Sequence, residues 1–148
     1  MTARKGRVSR RLRERVAQTA GYCCGYCRTP EGIAGFRLTI EHIVPLARGG
    51  KTIEENLWLS CHACNEFKGS RVQGRDPVTG KRVRLWNPRR PKWHDHFCWR
   101  EEGTEIVGLT PRGRATVTTL QLNRPELVAA RWLWVQVGWW PPLGHSTS

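Results

Sequence analysis

Acidic residues are scarce in this chain: 12 Asp and Glu stand against 25 Lys and Arg, for a formal net charge of +13 and a pI near 10.6. A surface so short of acids attracts polyanions through counterion release, nucleic acid before others. Ribosomal and purely solubilising surfaces share such an excess. A membrane-surface protein more often concentrates its charge on an amphipathic helix with exposed bulky residues. Long apolar runs are also missing. No window approaches about 18 uninterrupted apolar residues, so no membrane span is expected. No apolar segment follows the basic start Met1-Thr-Ala-Arg-Lys, so no secretory signal is expected and the expected location is the cytoplasm. No internal repeat is visible. At 148 residues the chain suits one domain, or a small core with an added segment.

Six cysteines are present, and without an export signal they point away from disulfides. Four of them form two CxxC pairs, Cys24-Gly-Tyr-Cys27 and Cys61-His-Ala-Cys64. Each CxxC turn directs two sulfurs at one point, and two such turns complete a tetrahedral zinc shell. Cys23 could replace Cys24 as a ligand, although the two-residue spacer from Cys24 to Cys27 mirrors the second knuckle. His62, within that knuckle, reads as a surface residue, with zinc ligation as the alternative. Cys98, in an aromatic run, reads as a small buried apolar residue.

Along the chain, residues 1–7 read as a disordered basic start. Ser9 to Ala20 reads as a helix, with Val8, Leu12, Val16 and Ala20 recurring every four residues and arginines on the other faces. Phe36 to Ile40 alternates as a short strand running into Glu41-His42, and Pro45 stops it. Arg48-Gly-Gly-Lys51 is a turn, Glu54 to Asn56 a short ordered loop or helical turn, and Leu57, Trp58 and Leu59 point inward. A helix follows the second knuckle through Asn65 to Gly69. The fold class expected is α+β: a β-hairpin and helix grouped around metal, a small ββα-metal core with structural zinc, plus a C-terminal β-hairpin and two helices. The expected divisions are a basic helix at 1–20, the core at 21–70, a basic loop or arm at 71–92, a hairpin and helices at 93–140, and a fraying tail at 141–148.

In the C-terminal part, Phe97 to Glu101 and Glu105 to Leu109 flank a turn and form the second hairpin. Asp76-Pro-Val-Thr-Gly80 is a turn signal. Thr110-Pro111 reads as an N-cap with proline at the first helical position. A last helix runs from Asn123 to Val137 with a stripe of Val128, Trp132, Val135 and Trp139. Eight tryptophans fill the core of a small domain by the simpler reading. Base stacking on Trp86 or Trp93, beside Arg84, Arg89, Arg90 and Lys92, is the sharper one. His94 and His96 read as hairpin surface or core residues.

Between the knuckles lie Glu41-His42, Gly49-Gly50 and Glu55-Asn56, and the second knuckle runs into Asn65. Phosphodiester hydrolysis needs a base for water, a cation on the phosphate and leaving oxygens, and fixed geometry. A free imidazole titrates near neutrality, and His42 suits the base. Glu41 and Asn65 offer oxygen ligands for Mg²⁺ or Mn²⁺. Asn56, both donor and acceptor, suits bridging the loop and orienting His42. Arg10, Arg11, Arg48, Lys51, Lys68 and Arg71 are candidate phosphate contacts, with a merely solvated basic face as the alternative.

Residues 22–69, from YCCGYC through TIEHIVPLARGGKTIEENLWLSCHACNEFKG, closely resemble the HNH endonuclease motif in its four-cysteine form. The resemblance covers about a third of the chain. It implies His42 as general base, Glu41 and Asn65 as ligands of a catalytic divalent cation, Asn56 as the residue holding the base, and DNA, double-stranded by preference, as partner. Asn at the third position places the motif in the H-N-N branch, with weaker and oxygen-based metal affinity. Glu in place of Asp before the histidine moves the carboxylate outward. Residues 91–125 look like an extension found on some bacterial members. The rival expectation is a non-catalytic, zinc-stabilised nucleic-acid-binding module, which shares the cysteines and the charge without requiring Glu41, His42 and Asn65 together. The target and the oligomeric state are open.

Overall fold

A computed structural model describes residues 6–90 and 92–141. The expectations for residues 1–5 and 142–148 fall outside the described residues. The chain forms two compact units, one of residues 1–72 with 87–89, the other of residues 73–86 with 90–148.

The first unit opens with helix α1, Arg10–Thr19. Ser9 caps it, its hydroxyl accepting from the Leu12 amide at 3.1 Å, which satisfies one of the first-turn donors. Val16 and Ala17 are buried, while Arg10, Arg11 and Arg15 are exposed. After the first knuckle comes the single turn α2, Glu31–Ala34. Strand β1, Thr39–His42, pairs antiparallel with β2, Leu57–Ser60, with Glu41 opposite Trp58 and His42 opposite Leu57. All four β2 residues are buried. Helix α3, His62–Lys68, follows at once. This is the ββα unit that the sequence led us to expect.

Two glycines of this unit have no alternative. A Cβ on Gly50 would lie 1.7 Å from the Val44 carbonyl oxygen, and one on Gly25 would lie 2.3 Å from the Trp58 ring. The first lets the β1–β2 connection fold back on itself. The second lets the knuckle lie flat on β2, where the Gly25 amide donates to Leu59 O at 2.9 Å. The returning segment 87–89 also meets Trp58. There Arg89 stands 5.1 Å from the ring centre and donates to Leu57 O.

The second unit contains the hairpin β3 (Gln73–Arg75) and β4 (Arg82–Arg84), so most of the segment expected as a basic loop or arm is ordered. Its turn is the expected one. Asp76 accepts from the Val78 amide and the Thr79 hydroxyl, and both its oxygens take Arg114 at 2.9 Å. The single helical turn α4, Trp93–His96, precedes β5 (Phe97–Arg100), which pairs with β6 (Glu105–Gly108). Thr110 caps helix α5, Pro111–Thr119, by accepting from the Gly113 amide, and α6 spans Pro125–Gln136.

The core of this unit is aromatic. Trp93 stacks on Phe97 at 5.3 Å, Trp86 meets Phe97 edge-on at 5.3 Å, and Trp99 meets Trp140 edge-on at 5.0 Å. Trp86 and Trp93 are buried, which removes them as base-stacking platforms. The stripe expected on α6 is corrected too. Leu127 and Arg131 face inward, whereas Trp132 and Trp139 are more than half exposed. The reason is that α6 is apolar almost all round, so four-residue spacing selects no single face. Trp139 lies beyond the helix end, where that spacing no longer applies. Arg131 is accommodated over the Trp99 ring at 5.6 Å and donates to Thr104 O. Cys98 is half-buried, not fully enclosed.

Candidate active site

The four sulfurs of Cys24, Cys27, Cys61 and Cys64 lie within 4.8 Å of one another, and all four residues are buried. Zinc–thiolate bonds near 2.3 Å imply sulfur separations of roughly 3.8 Å in a tetrahedron. The 3.7 Å between Cys27 and Cys61 meets that requirement. Cys61 also caps α3, its sulfur accepting from the Cys64 amide at 3.4 Å, so the helix N-terminus helps hold a thiolate. The Thr29 hydroxyl is within hydrogen-bonding distance of Cys27 at 3.2 Å. These residues fit a structural zinc ion. Cys23 lies outside the cluster, half-buried, and so does His62, which is exposed and 3.8 Å from Glu66.

His42 and Glu41 are successive on β1 and so point to opposite faces of the hairpin. His42 is half-buried. Its Nε2 and Thr52 Oγ1 are hydrogen-bonded at 2.9 Å. Burial, and secondarily the charge of Lys68, hold the imidazole below its ordinary pKa, which favours the neutral ring.

Asn56 spans the loop between the strands. Its side-chain nitrogen donates to Val44 O at 3.0 Å and Lys51 O at 2.9 Å, and its side-chain oxygen accepts from the Val44 amide at 2.8 Å. Its own carbonyl accepts from the Ile43 amide. Asn56 therefore acts on the backbone that carries His42 and Thr52, and its side-chain bonds go to backbone groups.

Glu41 turns inward. Its Oε1 accepts from Tyr26 at 2.9 Å and pairs with Lys68 at 2.8 Å, and its Oε2 is buried without a hydrogen-bond partner among the described residues. Burial pushes its pKa up, against the opposing pull of Lys68 and the Tyr26 hydroxyl. Asn65 is half-buried on α3, three residues before Lys68 and hence on the same helix face.

The candidate phosphate contacts divide. Arg10 and Arg11 line a surface groove with Glu14, Arg15, Gln18 and Arg37. Arg48, Lys51 and Arg71 are exposed, and the Arg48 guanidinium donates to Ser70 O. Lys68 does not belong with them. Its side chain is 3 % exposed and engaged with Glu41, so it offers nothing to a phosphate at the surface. Thr52 and Tyr26 had no signal in the sequence, because each becomes informative only once the hairpin brings it to His42 or Glu41.

A family model described as HNH endonuclease matches residues 24–71. Residues 24–71 are an HNH endonuclease domain. Neither a curated protein nor a solved structure matches the sequence. The HNH domain thus coincides with the knuckles, the hairpin and α3, and it leaves the second unit outside. No helix among the described residues is long and apolar enough to cross a membrane.

Proposed function

We propose that the protein is a divalent-metal-dependent DNA endonuclease in which His42 is the general base. The observation that carries this reading is the His42–Thr52 hydrogen bond on an imidazole favoured in its neutral form. With Nε2–H donating to Thr52, the lone pair lies on Nδ1, which takes the proton from an attacking water. That water oxygen forms its bond to phosphorus as the bond to the leaving sugar oxygen breaks. Asn56 fixes the loop, so the ring keeps one orientation through this step.

The unpartnered Oε2 of Glu41 and the side-chain oxygen of Asn65 would hold the cation, Mg²⁺ or Mn²⁺. When bound, such a cation neutralises charge on the phosphate and the leaving oxygen. Arg10, Arg11, Arg48, Lys51 and Arg71 would position the duplex through its phosphates without reading sequence. Two observations favour the rival reading of a zinc-stabilised binding module: Glu41 already has a cationic partner in Lys68, and its buried side chain leaves β1 on the face opposite His42.

The deciding experiment is conversion of supercoiled plasmid by the zinc-loaded chain with Mg²⁺, Mn²⁺ or EDTA, beside His42→Ala. Metal-dependent nicking or linearisation, lowered by about 10²–10⁴-fold in His42→Ala at unchanged DNA affinity, is expected. DNA binding without any conversion would replace this reading by the binding module.

A further inference from the structure

We propose that Lys68 is a positioning residue, its ammonium fixing the end of β1 so that His42 and Asn65 keep one working separation; this rests on the nuclease reading above. Lysine is almost never fully buried unless paired, and burying the charge is costly. Here the ammonium converges on three acceptors: Glu41 Oε1 at 2.8 Å, Ile43 O at 3.0 Å and His42 O at 3.4 Å. An ammonium has three donors, so each has a target. The acceptors are successive residues at the point where β1 leaves its ladder, since the last pair of the register is His42 with Leu57.

The other end of the contact matters as much. Cys61 caps α3, and Cys64, Asn65 and Lys68 follow it at helical spacing. One short helix therefore carries two zinc thiolates, the candidate cation ligand and this clamp. Stability alone is a poor reason for such a pair, because well-packed apolar replacements of buried ion pairs are often neutral or stabilising. Geometric registry is the better reason. A carboxylate and two carbonyls on successive residues are met by one compact, rotatable ammonium, whereas the planar fork of arginine spreads its donors apart.

The test uses the full zinc-loaded chain with Lys68→Met and Lys68→Arg. Lys68→Arg keeps the charge beside Glu41, so it remains informative if Lys68→Met fails to fold. Zinc content, thermal midpoint, DNA affinity and single-turnover cleavage at saturating Mg²⁺ or Mn²⁺ are compared with wild type. Both variants that fold are expected to bind DNA within about twofold of wild type and to cleave about 100-fold more slowly, with arginine failing to rescue. Cleavage within threefold of wild type per folded molecule, in either variant, would overturn the proposal and leave Lys68 as packing.

A second readout does not depend on cleavage. In ¹⁵N spectra of the metal-free site, the His42 Nε2 signal should lose the shift that marks its bond to Thr52 in the variants, whichever of the two atoms donates. An unchanged signal would overturn the clamp even if the wild-type chain cut no DNA. Wild-type inactivity with that shift lost would instead leave the clamp standing and sink the nuclease reading.

Discussion

The two units of this chain hold themselves together in different ways. The first contains five of the six cysteines and, of the eight tryptophans, Trp58 alone; the second contains Cys98 and the other seven tryptophans. In the first, a four-sulfur cluster adds to a small apolar core of Val16, Leu38, Leu57 and Leu59, and the loop bridge of Asn56 and the Lys68–Glu41 pair fix backbone positions. In the second, Trp86, Trp93, Phe97, Trp99 and Trp140 fill the interior, and Asp76 and Arg114 lock the hairpin to α5. Polar and metal bonds are directional, so they can place His42 and its neighbours to within a fraction of an ångström. Aromatic packing supplies stability but tolerates more variation in where a side chain ends up. The candidate chemistry lies in the directionally bonded unit.

The strongest way to break this contrast is to remove the metal. Structural zinc contributes about 10–16 kcal/mol of apparent binding free energy in small zinc domains, which exceeds the stability of most domains. Chelation, or Cys61→Ser, should therefore unfold residues 24–71 while leaving the near-ultraviolet circular dichroism of the tryptophan cluster largely intact. Amide exchange resolved by residue would show both halves at once. A first unit that stays protected without zinc would show that its apolar core suffices, and the contrast would fail.

Acid sharpens the comparison by a smaller effect. In the first unit, protons compete with zinc for the thiolates, so metal is lost as the pH falls below neutrality. In the second, the bidentate bond to Arg114, helped by the Val78 amide and the Thr79 hydroxyl, holds the Asp76 carboxyl well below the usual carboxylate range. A depressed carboxyl stabilises the fold fully above its unfolded pKa, about 3.9, and that contribution is lost as the pH drops below it. Zinc release, followed with a chromogenic chelator, should precede the tryptophan transition. Asp76→Asn should lower the neutral-pH thermal midpoint and flatten its dependence between about pH 4 and pH 2. An unaltered acid profile in that variant would remove the ion pair from the account.

How much of this was legible in the sequence follows from the same distinction. The paired CxxC turns, the Thr110 cap and the Asp76–Gly80 turn are local patterns, and local patterns survive reading along a line. The α6 face was not legible, because Leu127 and Trp132 are equally apolar and only the rest of the unit decides which is covered. Lys68 misled for the opposite reason. A lysine beside a basic motif looks like a phosphate contact until β1, 26 residues earlier, is folded against it. The candidate residues Glu41, His42, Asn56 and Asn65 form a pattern along the line, but the contacts of Thr52, Tyr26 and Lys68 do not, since each joins residues 10 to 26 positions apart.

The smallest expected effect tests whether directional bonding in the first unit reaches the chemistry. Thr52 contributes one hydrogen bond to His42 and lies next to Lys51, whose carbonyl Asn56 holds. Thr52→Val keeps the shape and removes the hydroxyl, so the ring loses its partner but little packing. Folding and zinc content should be unchanged, and single-turnover cleavage should fall about tenfold, equivalent to ~1.4 kcal/mol of barrier. Thr52→Ser should restore most of the rate, because only the hydroxyl matters to the imidazole. If serine and valine behave alike, the loop and not the hydroxyl sets the tautomer, and Asn56 alone carries the orientation of the base.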